Sequence, residues 1–296
     1  MVWCGLVWRG VGWQPNNETL KPYVTTCLQL CMKVLSEDNE ENALVALRII
    51  FDLHKNFRPR LEREVQPFLD FVKSIYTSLA ATVQEVLNQP ATTAAVQGGV
   101  KAEPGAMAPA SGVGAAGKTT GPVKLLRSSG SFKVLTECPL ITMLLFQLYP
   151  RYFNPNMRAL VPLMMQALQL QAHVNASTVV RVRFTEFLAC QVKTLSFLTY
   201  LLRGSFDSMK PYESTIADCV IRLLRICPDE AVSTRKEILV ATRHILATDF
   251  RKAFFPHVDV FLQQSTLIGQ GRQAHEVRVA WLAVPCCMFR CVGHVP

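Results

Sequence analysis

Residues Thr234–Phe255 read T-R-K-E-I-L-V-A-T-R-H-I-L-A-T-D-F-R-K-A-F-F, and this stretch decides the fold. Its apolar residues recur mostly three, four or five positions apart, which predicts one side of a helix: Ile238, Val240, Ala241, Ile245, Leu246 and Phe250. The polar residues Arg235, Lys236, Thr242 and Arg243 are expected largely on other sides. A second apolar group, from Phe254 to Leu262, begins soon after Asp249. The stretch therefore predicts two helices joined by a tight corner.

An earlier stretch, residues 43–71, has the same outline. There a helical pattern reaches Phe57-Arg58 and is followed by Pro67 and more apolar residues, as the later pattern reaches Phe250-Arg251 and then Pro256. A helix, a Phe-Arg corner and a proline-led helix thus occur twice. Such a repeat predicts stacked helix pairs, an α-solenoid.

Composition places the chain among globular proteins. Of its 296 residues, 50% are hydrophobic and 18% are charged, which is too apolar for a disordered chain. The net charge of +9 arises mainly from the second half and from the segment before it. A basic surface attracts acidic partners or nucleic acid, but a solvated helix face is the favoured explanation.

The cysteine positions and the start of the chain favour a reducing, intracellular compartment. Five of the ten cysteines lie inside apolar helical patterns, where a thiol behaves as a small hydrophobe. The start of the chain lacks the basic region and continuous apolar core expected of a secretory signal. The longest apolar run, from Pro139 to Tyr149, is shorter than the ~20 residues that a membrane span requires. An intracellular protein without a membrane segment is therefore expected.

The pattern divides the chain into five parts. Residues 1–16 show no clear period and stay unassigned, and residues 17–88 read as helices. Residues 89–131 are rich in Ala, Gly, Pro, Thr and Ser and predict a disordered linker. Helices resume over residues 132–277, and residues 278–296 form an atypical tail. Because no run of alternating apolar residues is convincing, the predicted fold class is all-α.

One segment matches a nucleotide-binding pattern. Residues 112–119, G-V-G-A-A-G-K-T, fit the P-loop G-x-x-x-x-G-K-[ST]. The chemistry needs a buried strand before the loop and a helix beginning at the lysine, so that helix amides hold the phosphates. Glu103–Ser111 does not read as a strand, and Gly121-Pro122 stops a helix. A chance match is favoured, and a nucleotide-hydrolysing enzyme is kept as an alternative.

The spacing of cysteine and histidine residues gives little support for a metal site. A small cluster near the end contains Cys286, Cys287, Cys291 and His294, but its spacing is not that of a zinc finger or knuckle. His54 and His244 lie within apolar helical patterns and are expected to be packed or capping residues. No catalytic residue, metal or cofactor is therefore predicted.

Extended matches, rather than short motifs, connect the chain with a known family. They include N-E-E-N-A-L at residues 39–44, L-R-I-I at 47–50, F-L-D-F-V-K at 68–73, Q-V-K-T-L-S-F-L at 191–198 and R-H-I-L-A-T-D at 243–249. Over about residues 17–87 and 131–277 the chain resembles the N-terminal HEAT-repeat region of the transformation/transcription domain-associated protein family. Members of that family are far longer, so a fragment is expected.

The resemblance implies a function as well as a fold. It implies a nuclear, non-catalytic scaffold of histone acetyltransferase complexes, since the family belongs to the phosphatidylinositol-kinase-related group with an inactive kinase-like domain. Its expected partners are transcriptional activators and other coactivator-complex subunits, with no small-molecule substrate and no direct nucleic-acid contact. A basic nucleic-acid-binding helical module is the remaining alternative. The candidate partner-binding residues form a basic edge: Arg235, Lys236, Arg243, Arg251 and Lys252.

Overall fold

A computed structural model describes residues 17–87, 126–172, 178–204 and 206–268. Within these ranges the chain forms helices, turns and no strand, apart from one isolated antiparallel bridge between Asn39 and Arg127. The predicted all-α class is confirmed. The candidate P-loop, the cysteine-rich tail and residues 1–16 lie outside the described residues.

The α-helices of the described part are α1 (Asn17–Leu20), α2 (Val24–Glu37), α3 (Glu40–Asn56), α4 (Val65–Leu87), α5 (Phe132–Leu148), α6 (Phe153–Gln169), α7 (Thr178–Gly204), α8 (Phe206–Met209), α9 (Glu213–Ile226), α10 (Val232–Leu246), α11 (Val258–Leu262) and α12 (Gln264–Ile268). They stack in two layers. In the first, α3, α5, α7 and α10 lie side by side; in the second, α2 meets the turn before α4, and α4, α6 and α9 follow in order.

Neighbouring helices contact each other more extensively in the first layer than in the second. We call the first layer the inner layer and the second the outer layer. The solvent-exposed side of α3, α5, α7 and α10 is called the inner face.

Short 3-10 segments form the corners that lead from the inner to the outer layer. Two of them are the predicted Phe-Arg corners, in Arg58–Glu64 and Asp249–His257. A third segment, Pro150–Tyr152, joins α5 to α6. A fourth, Lys210–Tyr212, leads from α8 into α9. Each contains a proline. In three of them it occupies the first turn, where proline fixes φ and needs no backbone partner, whereas Pro256 lies near the end of its segment. The weak twofold repeat of the sequence is thus part of a fourfold repeat of structure.

At the edge opposite these corners, side chains cap two of the inner-layer helices, α3 and α5. Asn39 accepts hydrogen bonds from the amides of Glu41 and Asn42 at 3.0 and 3.1 Å, which satisfies two of the amides that begin α3. The Ser131 hydroxyl accepts from the Val134 amide at 3.4 Å and caps α5. Glu40 and Glu41 then occupy the first turn of α3, where the helix dipole favours negative charge.

Residues 126–131 depart from the expected linker. The backbone amide of Ser128 donates to the Asp38 carbonyl at 3.0 Å, and its hydroxyl donates to the Leu35 carbonyl at 2.5 Å. Ser128 and Ser131 are buried. The end of this segment is therefore part of the packed structure, because it satisfies carbonyls that the end of α2 leaves without helical partners.

Apolar side chains between the layers form one continuous core. Phe132 and Phe187 meet with ring centroids 5.3 Å apart, joining α5 to α7. The opening stretch contributes Ile238, Ala241, Ile245, Leu246 and Phe250, all buried. Two of its positions differ from expectation, since Val240 is 36% exposed and Thr242 is buried with its hydroxyl donating to the Ile238 carbonyl at 2.8 Å.

Membrane-span criteria are not met by any single helix among the described residues. Phe132–Leu148 and Pro150–Gln169 satisfy the length and composition test only together, and they are bent by 117° at their break.

Candidate protein-interaction surface

The inner face ends on the exposed stripe of α10. Its exposed residues are three or four positions apart, as one side of a helix requires: Ser233, Lys236, Val240, Arg243 and Ala247 at the helix end. Lys236 and Arg243 are two turns apart, about 10 Å along the axis at 1.5 Å per residue. No described carboxylate forms an ion pair with either of these two side chains.

Arg235 does not belong to this surface, so its assignment to an exposed basic edge is wrong. The residue is 4% exposed. Its guanidinium donates to the carbonyls of Leu224, Cys227 and Thr266 at 3.1, 2.6 and 2.7 Å. Two of these carbonyls lie at the C-terminus of α9, where carbonyls have no partner within the helix. Arg235 is therefore an internal cap that fastens α9 to α10.

The remaining members of the predicted edge are closer to solvent. Lys236, Arg243 and Lys252 are exposed, whereas Arg251 is half-buried in the 3-10 corner after α10. Whether these four residues bind a partner stays a prediction.

A groove between α5 and α7 lies one helix further along the inner face. Its volume is about 360 Å³, and it is lined by Thr136, Glu137, Pro139, Leu140, Met143, Lys193, Ser196 and Phe197. Apolar side chains supply much of the lining. Lys193 links the groove to α10, since its ammonium lies 2.9 Å from a carboxylate oxygen of Glu237. The rim of the groove thus contacts α10 at Glu237, the neighbour of Lys236 in the sequence.

A buried ionic network holds the opposite ends of the inner helices in register. Glu40 of α3 is 1% exposed and accepts a hydrogen bond from the Ser131 hydroxyl at 2.8 Å. Arg183 of α7, also buried, lies 3.3 Å from both oxygens of that carboxylate and donates to Glu186 at 2.7 Å. Lys133 of α5 approaches the same two carboxylates at 3.5 and 3.4 Å.

The charge state of Glu40 follows from these contacts. Burial alone would raise the pKa of its carboxyl, because a low-dielectric surrounding disfavours the charged form. The hydrogen bonds from Ser131 and Arg183 and the charges of Arg183 and Lys133 act against burial, and the pKa is lowered from its ordinary value. The network is therefore ionic at neutral pH and connects α3, α5 and α7.

His54 occupies a second buried polar position, at the other end of α3. Its Nδ1 lies 3.3 Å from the Tyr149 hydroxyl, which donates its own proton to the Arg58 carbonyl at 2.6 Å. Nδ1 therefore carries the proton of the neutral ring, and Nε2 has no hydrogen-bond partner in the described part of the chain. Burial lowers the pKa of His54 to about 4, because a charged imidazolium would be desolvated there.

This histidine predicts a loss of stability in mild acid. Its pKa falls from the ordinary 6.5 to about 4 on folding, so the unfolded chain binds the proton more tightly than the folded chain. The stabilisation is complete above pH 6.5 and is lost as pH falls through 4. At pH 5 the expected loss is about 2 kcal/mol in the free energy of unfolding. Urea unfolding at pH 7 and pH 5 measures it.

The matched control is His54→Gln, whose amide does not titrate but can still hydrogen bond with Tyr149. We expect the difference in unfolding free energy between pH 7 and pH 5 to be smaller in this variant by about 2 kcal/mol. Equal pH dependence in both chains would show that other groups, such as Glu40, cause the acid sensitivity.

The stacked helix pairs and their proline-containing corners together define a class, an α-solenoid of HEAT-like helix pairs. Residues 183–282 match the family model described as the Tra1 HEAT repeat central region. The probable transcription-associated protein 1 of Dictyostelium discoideum is 35% identical over 88% of the chain. The chain belongs to the family of transcription-associated protein 1 and the transformation/transcription domain-associated protein.

Two further relatives agree with this assignment. The transformation/transcription domain-associated protein of Homo sapiens is 34% identical over 88% of the chain. The SAGA complex/NuA4 acetyltransferase complex subunit TRA1 of Saccharomyces cerevisiae is 28% identical over 88%. The chain spans only 7 to 8% of the length of these three relatives. The family expectation is confirmed, and the matched model describes a central HEAT region rather than the N-terminal region that the sequence resemblance suggested.

Proposed function

We propose that this chain is a non-catalytic scaffold segment of a nuclear transcription coactivator. Its inner face docks acidic segments of transcriptional activators and of other coactivator-complex subunits. Two observations carry this proposal: a partly apolar groove between α5 and α7 whose rim residue Lys193 contacts α10, and two exposed basic side chains of α10, Lys236 and Arg243, that form no ion pair with a described residue. The names of the relatives, which include an acetyltransferase complex subunit, support the proposed setting.

The groove suits the apolar side chains of an acidic activation segment, and the basic residues of α10 suit its carboxylates. The groove of about 360 Å³ has room for one or two apolar side chains of a short helix. Lys236 and Arg243 attract carboxylates on the same peptide, and Lys193 at the groove rim can exchange its partner Glu237 for a ligand carboxylate. The proposal assigns no cofactor and no catalytic residue. Residues 17–88 and 132–277 act in it as one interaction module joined by the intervening segment.

Charge reversal tests the basic part of the surface. The double variant Lys236→Glu/Arg243→Glu is expected to weaken binding of an amphipathic acidic peptide about tenfold, because two attractive contacts become repulsive. Fluorescence anisotropy with a labelled peptide measures the affinity at two salt concentrations. The difference between the variant and the unaltered chain is expected to shrink at high salt, where exposed charges are screened.

The matched control places the same change of net charge on the outer layer. Lys33→Glu/Arg158→Glu alters exposed residues of α2 and α6. Binding close to that of the unaltered chain is expected. An equal loss of affinity in both double variants would contradict the proposal, because it would mean that the peptide senses only the overall charge.

A further inference from the structure

A row of cations follows the edge of the stack at which the four 3-10 corners lie. Each corner segment carries at least one exposed arginine or lysine. Together these six side chains are called the corner ridge: Arg58, Arg60, Arg63, Arg151, Lys210 and Lys252. The row is visible only in the folded chain, because its members come from four separate segments.

Contacts between successive corners make the ridge continuous. The Tyr152 hydroxyl of the second corner donates to the Glu62 carbonyl of the first at 2.9 Å. Phe153, which follows the second corner, and Tyr212, which ends the third, line one groove. The fourth corner packs against α9, into which the third corner leads. Since packed helices lie about 8–10 Å apart, the four corners span about 30 Å.

Positive charge predominates along the ridge. Within the corner segments and three residues to either side, the exposed carboxylates are Asp207, Asp249 and Asp259, against six exposed ridge cations. Arg151 is paired with Glu62, whose carboxylate oxygen lies 2.7 Å from its Nε. The other five cations form no ion pair with a described carboxylate. The ridge therefore keeps an uncompensated positive charge.

The ridge cations remain available to a ligand. Arg58 donates to the Leu148 carbonyl, and Arg60 donates to the Lys21 carbonyl at 3.0 Å. Each contact uses one guanidinium nitrogen and leaves most of the N–H groups of that side chain for other acceptors. Further repeats of a solenoid stack on its ends, because each repeat contacts only its neighbours, and this lateral edge is not covered by such stacking.

We propose that the corner ridge binds the phosphate backbone of double-stranded DNA without regard to sequence. Four of the six cations are arginines, whose planar guanidinium donates two parallel hydrogen bonds to phosphate oxygens. A ridge of about 30 Å extends along about nine base pairs, at ~3.4 Å for each pair. Backbone contacts position a duplex but carry no sequence information. This role is additional to the docking function proposed for the inner face, and it differs from the family expectation of no nucleic-acid contact.

Rigidity favours a duplex over an acidic peptide as the ligand of the ridge. A disordered peptide must lose conformational entropy to follow the row of corners, and isolated exposed charge pairs contribute little to offset that cost. A duplex is already ordered, and neutralising its phosphates releases condensed counterions, which drives binding. The inner face differs in this respect, because its groove offers apolar burial to an acidic peptide.

The salt dependence of DNA binding tests the proposal. Each neutralised phosphate contributes about −0.9 to the slope of log K against log salt concentration. The five unpaired cations therefore predict a slope of about −4 to −5 for a labelled duplex of about 20 base pairs, measured by fluorescence anisotropy. In Arg63→Gln/Lys210→Gln/Lys252→Gln the slope is expected to fall in magnitude to about −2. The helical circular dichroism is expected to stay unchanged, because all three side chains are exposed.

The matched control removes the same charge elsewhere. Arg225→Gln/Lys236→Gln/Arg243→Gln alters exposed residues at the end of α9 and on the inner face, and its slope is expected to stay within about one unit of that of the unaltered chain. The proposal is overturned if both triple variants lower the slope equally, because binding would then depend on net charge alone. It is also overturned if the duplex does not bind at low salt, or if the ridge variant loses affinity for an acidic peptide while its DNA binding is unchanged.

Discussion

Arg183→Met is expected to lower the free energy of unfolding by about 3 kcal/mol, because it removes the buried cation that faces Glu40. The carboxylate of Glu40 is 1% exposed, and without Arg183 it keeps the Ser131 hydroxyl and the distant ammonium of Lys133. A buried charge with so little compensation is costly. Equilibrium unfolding in urea, with the denaturant dependence compared between variants, measures the loss.

Arg181→Met is the matched control. Arg181 lies two residues earlier on α7 and also forms an ion pair, at 2.6 Å with Glu230, but both side chains are about 60% exposed. Exposed pairs contribute about 0.2–1 kcal/mol, so this variant is expected to be nearly as stable as the unaltered chain. Adding Glu40→Gln to Arg183→Met is expected to restore part of the stability. Equal losses at positions 181 and 183 would show that the buried network has no special role.

Arg235→Ala is expected to destabilise the chain by roughly 2 to 3 kcal/mol, because three buried carbonyls lose their charged donor. The loss is expected to centre on the contact between α9 and α10. Thermal unfolding followed by circular dichroism measures the stability, and hydrogen exchange at the end of α9 locates the effect.

Lys236→Ala tests the same argument one residue further along. Lys236 is exposed, so its truncation is expected to change the unfolding free energy by less than about 0.5 kcal/mol. In peptide binding the order is expected to reverse, since Lys236 belongs to the proposed docking surface and Arg235 does not. Similar stability in the two variants would contradict the role of Arg235 as an internal cap.

The burial of Arg235 was accessible in principle from the sequence. Arg235 precedes Ile238 and Leu239 by three and four positions, and Thr242 follows Ile238 by four, so all of them share the core side of α10. Polarity suggested the opposite, because arginine and threonine are usually exposed. Spacing was the better guide here. The carbonyls at the C-terminal end of α9 need a donor, and the buried guanidinium of Arg235 supplies it.

The partner of Glu40 was beyond sequence reasoning. The carboxylates of Glu40 and Glu41 suit the first turn of a helix, and α3 begins at Glu40. Nothing in the local pattern connects that residue with Arg183, which is 143 positions away. The groove between α5 and α7 was equally inaccessible, because its shape depends on how closely two helices pack.

The sequence by itself determined the all-α class, the helix–corner–helix repeat and the family, because apolar spacing and corner residues act locally and extended matches need no coordinates. The stretch from Thr234 to Phe255 was sufficient for the first two. The tertiary structure alone decided which distant residues pair with Glu40 and Arg235, which cations remain without an ion pair among the described residues, and that the inner layer presents a groove. These properties depend on the stacking of helices distant in sequence, since burial and ion pairing are set by neighbours that only the folded chain brings together.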